Sequence, residues 1–415
     1  MNKILHLMEG IRVKNNYKSQ NRNPVIWVFG EWFGERCYDN SLALANYVVK
    51  NFPDIKVYWA SKSGQHYPNL DSRADIIKFG TKEALSVYRV AGVVFMNQGL
   101  GDFSEEGYDY FDGAIKVNLW HGVMWKRIGH DGSKYNNVFY RFYTQLNDFA
   151  FNADYYLATS EEYAKVCISA FGASKNNIIR AGYPRNAMFY STQELLKAKK
   201  KTIDLLCHKT KKKWSYNTRI ITYMPTFRDK VAEVFSCEAL ADNHDFMKWL
   251  DENNIVILQK AHFITQKRKN NTNISTESDR IIELDDINPQ VLLAASDLLI
   301  TDYSSCFFDY LILDRPIVHF LYDYDFYKGK DRGLYYKKED VVCGDIAMNL
   351  EKLSQLIIQN MINPLKTHDL RIRRMKKFMT YENEKSCENI CNGIFKILNF
   401  SDNRIDRGSA LMRDL

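Results

Sequence analysis

The chain has 415 residues, 46% of them hydrophobic, and carries a formal net charge of +7. This apolar content, with 24 Phe, 26 Tyr and only 8 Pro, suffices for two ordinary cores and excludes a disordered chain. No apolar run approaches the roughly 18 residues of a membrane-spanning helix, and the mixed stretch 1–14 lacks the shape of a secretory signal.

The predicted elements alternate from the start. Strands are expected at 25–29, 57–60, 93–96, 116–120, 155–158 and 178–181. Helices are expected at 41–50, 81–90 and 160–171, the last closed by Gly172. A lysine-rich stretch then runs through Lys197, Lys199, Lys200, Lys201, Lys209, Lys211, Lys212 and Lys213 without Gly or Pro. After it the alternation restarts, with strands at 219–223, 255–259, 281–283, 298–300 and 316–320. Helices are predicted to end near 251 and to cover 289–296, 307–313, 350–360 and 386–398. Strands alternating with helices imply a parallel sheet covered on both faces. The fold class is therefore α/β, with two doubly wound, Rossmann-like domains facing across a cleft. The expected division is an acceptor-side domain over 1–195, a basic linker over 196–215 and a second α/β domain over 216–375. A helix and tail over 376–415 are expected to pack back toward the first domain. The eight scattered cysteines form no C-x-x-C pair and no zinc spacing, so they read as free thiols of a reducing, cytoplasmic compartment.

In open α/β sheets the functional groups sit just beyond the carboxyl ends of strands. Polar clusters occur at those places. The richest is Thr301-Asp302-Tyr303-Ser304-Ser305, where an apolar strand passes straight into a helix. Free N–H groups and the positive end of a helix dipole there suit a phosphate, and an ordinary N-cap uses the same residue types. Thr226 and Arg228 follow strand 219–223, and Lys260 and His262 follow strand 255–259. An arginine fork and fixed cations suit phosphate oxygens and charge building on a leaving group. Strand 116–120 ends in Trp120-His121-Gly122, with Lys126 and Arg127 beyond. His121 reads as a general base or as a core histidine under a tryptophan. Arg185 and Asn186 follow strand 178–181, where Arg185 contacts an acceptor phosphate or pins its own loop. Asp323-Tyr324-Asp325 has the form of a divalent-ion D-x-D but lies in a Tyr-rich loop, and no metal ligand set or cofactor motif is evident.

Six motifs in this order and spacing resemble the CDP-glycerol:poly(glycerophosphate) glycerophosphotransferases of teichoic acid and capsule synthesis. They are Leu119-Trp120-His121-Gly122 with Lys126 and Gly129, Gly182-Tyr183-Pro184-Arg185-Asn186, Pro225-Thr226-Phe227-Arg228, Lys260-Ala261-His262, Ile300 to Ser305, and Asp331-Arg332-Gly333. The resemblance covers roughly 25–395. It implies a GT-B-like fold and transfer of a polyol phosphate, glycerol phosphate first among them, from a CDP-activated donor to a hydroxyl, with CMP leaving. The acceptor would be a lipid-linked (polyprenyl-diphosphate) primer or a growing polymer. His121 would match the family's general base, with Trp120, Gly122, Lys126, Arg185 and Asn186 on the acceptor side. His262, Arg228, Thr226, Lys260, Thr301, Asp302, Ser304, Ser305 and Arg332 would serve the donor and its phosphates. Two departures stand out: Phe263 where a proline is usual, and Val123-Met124-Trp125 where a Thr-Pro-Leu-like run is common, the latter pointing to an unusual acceptor. The long N-terminal domain of some polymerases is not seen, so primase, capsule-type and polymerase readings stay open.

The lysine-rich stretch and a second basic cluster, Arg371, Arg373, Arg374, Lys376 and Lys377, suit an anionic inner membrane surface. They equally suit solvated helix faces. No aromatics interleave the lysines as stacking on bases would want, so nucleic acid is not an expected partner. The rival reading of the same fold is a glycosyltransferase using a UDP- or GDP-sugar.

Overall fold

The computed structural model describes residues 3–18, 21–132, 152–226, 235–260, 279–284, 287–326 and 333–399. They form two compact units. The first comprises Met1–His121, Gly129–Ala187 and Thr380–Leu415, and the second Gly122–Ile128 and Met188–Met379.

The first unit is built on seven strands: β1 (Asn23–Phe29), β2 (Lys56–Ser61), β3 (Asp75–Lys78), β4 (Ala91–Met96), β5 (Ile115–Asn118), β6 (Tyr155–Ala158) and β7 (Ile178–Arg180). They pair in the order β3-β2-β1-β4-β5-β6-β7, all parallel. β4 shows why: all six of its residues are buried, so it reads as a continuous apolar run rather than an alternation. Helices α1 (Lys3–Tyr17), α2 (Asn40–Asn51), α3 (Lys82–Val90) and α4 (Glu161–Phe171) belong to this unit. Their starts follow capping chemistry. Thr81 accepts from the Ala84 N–H and Ser160 from the Tyr163 N–H. Gly172 closes α4 in the left-handed conformation.

The second unit has six parallel strands: β8 (Arg219–Met224), β9 (Ile255–Gln259), β10 (Ile281–Glu283), β11 (Leu298–Thr301), β12 (Ile317–Phe320) and β13 (Asp345–Ala347). Their order is β10-β9-β8-β11-β12-β13. Its helices include α5 (Thr192–Thr210), α6 (His244–Glu252), α7 (Pro289–Ala295), α8 (Cys306–Tyr310), α9 (Leu350–Ile362) and α10 (His368–Phe378). Alternate residues of its central strands feed two cores. Ile221, Tyr223, Ile255 and Ile257 face one, while Ile220, Val256 and Leu258 face the other. A sheet buried on both faces follows from that period of two. The final helix, α11 (Ser386–Ile397), returns to the first unit.

The structure differs from the sequence reading in several places. The lysine-rich stretch, expected to be helical with a loop, is for most of its length the 19-residue helix α5, and it falls in the second unit rather than between the two. Two short strands, β3 and β13, and the helix α10 were not anticipated. β5 ends at Asn118, two residues before Trp120, because Trp120 takes a left-handed φ of 54° that no strand accommodates. The helix after Ser305 is only 5 residues long before a tighter turn at Leu311–Leu313, so its dipole is smaller than expected.

Candidate functional site

Both sheets reverse their direction of growth once, in the first unit between β1 and β4 and in the second between β8 and β11. Such a switch point opens a crevice at the carboxyl ends of the two strands. Each expected cluster in the described residues lies at or beside one of them.

In the first unit the β1/β4 switch point is lined by Gly30, Glu31 and Trp32 after β1 and by Asn97 and Gln98 after β4. Ser41 ties its two sides, donating from Oγ toward the Gly30 carbonyl and Asn97 Oδ1, both at 2.9 Å. Asp102 is fully buried and accepts from the N–H groups of Phe33, Asn97 and Gln98 at 2.8–2.9 Å. Burial pushes its carboxyl up to about 6 against the pull of those hydrogen bonds. His121, from the neighbouring strand end, stacks on Trp120 with centroids 4.4 Å apart and lies 5.7 Å from the ring of Trp32. Its Nδ1 is 3.5 Å from the Asn97 carbonyl oxygen. A proton on Nδ1 suits that carbonyl, and the tautomer that carries it has its lone pair on Nε2.

The other first-unit residues are engaged by the protein. Arg185 donates from Nη1 to Asp39 Oδ1 at 2.7 Å and to the His121 carbonyl at 3.0 Å. It pins the loops of the site rather than standing open as an anion contact. Asn186, expected on the acceptor side, is fully buried and donates to Glu382 at 3.0 Å. Glu382 also accepts from the Tyr183 N–H at 2.7 Å. Four buried polar residues that support this region, Glu31, Asp39, Asn40 and Glu382, were missed. Asp39-Asn40-Ser41 carried a helix-start signal, whereas nothing in the sequence marked Glu31 or Glu382.

In the second unit the β8/β11 crevice is spanned by Asp302. Its fully buried carboxylate accepts from the Thr226 N–H at 2.8 and 3.0 Å and from the Ser304 N–H at 3.2 Å. Thr301 donates to the Met224 carbonyl at 2.8 Å. Both residues, expected as phosphate ligands, tie the two strand ends together. Ser304 and Ser305 are half-buried at the lip of the crevice. Lys260 follows β9 and is held by its N–H on the Tyr223 carbonyl at 3.0 Å. Arg228, His262 and Arg332 lie outside the described residues, as does Phe263. Asp323 accepts from the Tyr303 hydroxyl at 3.1 Å.

The segment Gly122–Ile128 belongs to the second unit. Lys126 bridges Leu334, and the Trp125 Nε1 donates to the Tyr336 carbonyl at 2.9 Å. Trp125 is buried against Tyr303, 5.4 Å between centroids. The unusual Val-Met-Trp run therefore has a packing role beneath the Thr301–Ser305 loop.

The family described as CDP-glycerol:poly(glycerophosphate) glycerophosphotransferase matches residues 13–396. The chain belongs to this family. A teichoic acid glycerol-phosphate transferase of Staphylococcus aureus is 26% identical over 388 residues, covering 91% of this chain and 94% of the relative. A teichoic acid poly(glycerol phosphate) polymerase of Bacillus subtilis is 25% identical over 399 residues, covering 92% of this chain. This glycerophosphotransferase-family chain spans only 50% of that polymerase's length. In fold it is similar to the wall teichoic acid polymerase TagF, with a TM-score of 0.75 at 21% identity over 96% of this chain and 98% of that one. The likeness to a UDP-bound Staphylococcus aureus MnaA is lower, with a TM-score of 0.53 at 12% identity over 91% of this chain and 97% of that one. Both likenesses bear on the fold alone, which is GT-B-like.

Proposed function

We propose that this chain transfers glycerol phosphate from CDP-glycerol to a hydroxyl of a teichoic acid or capsule acceptor, releasing CMP. The observation that carries the reading is His121, held at a switch point with Nδ1 facing a backbone carbonyl. In the reading, the acceptor oxygen attacks the donor's β-phosphorus and the new O–P bond forms. Nε2 of His121 takes the hydroxyl proton. The bond from the β-phosphorus to the bridging oxygen breaks, and that oxygen leaves with CMP. Ser304, Ser305, Thr226 and Lys260 of the second unit, with Arg228, His262 and Arg332 of the motifs, hold the donor's phosphates. Fixed cations and donors at the leaving group stabilise charge where it develops. The acceptor is a polyprenyl-diphosphate-linked primer or the growing polymer. The enzyme works at the inner face of the membrane, docked through the exposed lysines of α5 and the loop after it. A sugar-nucleotide donor is the weaker reading, because the family match falls on glycerophosphotransferases.

The test is CMP release from CDP-glycerol and CDP-ribitol in parallel, with isolated bacterial membranes as acceptor. Release from CDP-glycerol is expected, and release from neither overturns the reading. His121→Ala is expected to lower turnover by about 10²–10⁴ with CDP binding intact.

A further inference from the structure

The backbone around His121 is in an unusual conformation and is held there from several sides. Trp120 has φ 54° and Trp32 φ 48°, both left-handed, which bulky residues adopt only where the surroundings over-determine them. The Trp120 N–H donates to Asn118 Oδ1 at 2.8 Å. Two consecutive carbonyls are then gripped from one helix start. Asn40 Nδ2 donates to the Trp120 carbonyl at 2.8 Å. Its neighbour Asp39 reaches the His121 carbonyl through Arg185, whose Nη1 donates to both acceptors. The Arg185 N–H donates to Asn40 Oδ1 at 3.2 Å, closing the ring. The second oxygen of Asp39 accepts from Trp32 Nε1 at 2.9 Å, and Trp32 is the ring beside His121. Glu31 fixes the helix start by accepting from the N–H groups of Tyr38, Asp39 and Leu42.

The Asp39–Arg185 pair is itself buried, with side chains 3% and 9% exposed. A buried ion pair contributes little net stability over apolar packing of the same volume. Beside strained backbone, it acts through geometry. A guanidinium can direct two N–H bonds of one nitrogen at two fixed acceptors, which a lysine ammonium does not do in a set plane.

We propose that Asp39 and Arg185 are a positioning couple for His121: they set the backbone, and one flanking ring, of the residue that deprotonates the acceptor. This rests on His121 as the base. Neither residue touches the reacting atoms. Loss of the couple lets the imidazole drift, and a displacement of about 1 Å is enough to cost on the order of 100-fold in rate.

The experiment compares Asp39→Asn, Arg185→Gln and Arg185→Lys, each alone and combined with His121→Ala. CMP release from CDP-glycerol is followed with isolated bacterial membranes as acceptor, and thermal melts confirm folding. Asp39→Asn and Arg185→Gln are expected to lower kcat by about 10- to 100-fold. KM for CDP-glycerol and the half-saturating membrane concentration stay within about twofold, and His121→Ala absorbs the loss, so that the double variants are no slower than His121→Ala alone. Arg185→Lys, which keeps the charge beside Asp39, falls between and serves if Asp39→Asn does not fold. Losses that add to that of His121→Ala overturn the proposal. So does a raised half-saturating membrane concentration at unchanged kcat, which makes Arg185 an acceptor contact. If His121→Ala itself retains turnover, the base assignment fails, a result separable from either of these.

Discussion

Gly182 has no room for a side chain. A methyl group there would sit 2.3 Å from Ser386 Oγ and 2.5 Å from Glu382 Oε2. Glu382 cannot move aside freely, because its other oxygen accepts from the Tyr183 N–H and Asn186 Nδ2. Gly182→Ala is therefore expected to destabilise the chain by roughly 1–3 kcal/mol, read as a lower denaturant midpoint at unchanged slope. An unchanged midpoint would mean that Glu382 has another position open to it. The glycine of the Gly-Tyr-Pro-Arg-Asn motif thus lets the carboxylate of Glu382 approach the loop and hold it from behind. The same loop delivers Arg185 to Asp39, so packing beneath the motif and the geometry above it are one structure.

At the scale of elements, the two basic clusters part company. Arg371 of α10 is fully buried, donating to Asp314 Oδ1 at 2.8 Å, to Thr367 at 2.8 Å and to the carbonyls of Asp314 and Pro364. Arg374 reaches the carbonyls of Val342 and Glu339. These two arginines, read as part of a membrane-docking surface, instead fasten α10 to its own unit. Arg371→Met should cost roughly 1–3 kcal/mol, because it strips Thr367 and the carbonyls of Asp314 and Pro364 of their donor, with vesicle binding of the remaining folded protein unchanged. On α5, Lys197 pairs with Glu194 and Lys199 with Asp297, while Lys200, Lys201 and Lys209 are exposed. Reversing these three to Glu is expected to weaken sedimentation with phosphatidylserine vesicles at low salt more than about tenfold, at about 1 kcal/mol per basic residue removed. Unchanged sedimentation would remove α5 from the docking surface. The contrast shows what the sequence carried. Strands such as β4 and β9 were legible because every position but Gln259 is apolar, and helix starts because Thr81 and Ser160 cap them. The switch-point residues were legible as polar clusters at strand ends. Whether a charge at a strand end or on a helix is offered or consumed was not, since Asp302 and Arg371 find their partners 76 and 57 residues away along the chain. The short strands β3 and β13 carry too few apolar positions to announce themselves.

Across the whole molecule, the two units carry opposite pH dependences. In the first, Asp102 is raised from 3.8 to about 6, chiefly by burial. In the second, His319 is lowered from 6.5 to about 4, again chiefly by burial, with its Nε2 accepting from the Cys343 N–H at 3.0 Å. Between about pH 4 and 6 the folded first unit binds more protons at Asp102 than the unfolded chain does. Its contribution is therefore full below pH 4 and is lost as pH rises through 6. His319 behaves in the reverse sense. The unfolded chain takes up its proton below about 6.5, so stability present above that pH is lost as pH falls toward 4. Each shift corresponds to roughly 3 kcal/mol, so the two nearly cancel in the whole chain while opposing one another unit by unit. Hydrogen exchange, corrected for its intrinsic pH dependence, separates them. From pH 7 to 4.5 the Asp102 contribution should raise protection of β4 and the His319 contribution lower that of β12. Asp102→Asn should remove the first component and leave the second, and His319→Gln should do the converse. If either variant leaves its own unit's pH slope as in the parent chain, the assigned group is not its source. The same measurement bears on the site, because Asp102 holds the N–H groups of Asn97, whose carbonyl faces His121, and of Phe33, the neighbour of the Trp32 ring beside it. Acidification through about pH 6 thus removes negative charge behind the base. A carboxylate behind an imidazole favours its protonated form, so Asp102→Asn should displace the acid limb of the rate profile to lower pH, and an identical limb would uncouple Asp102 from catalysis.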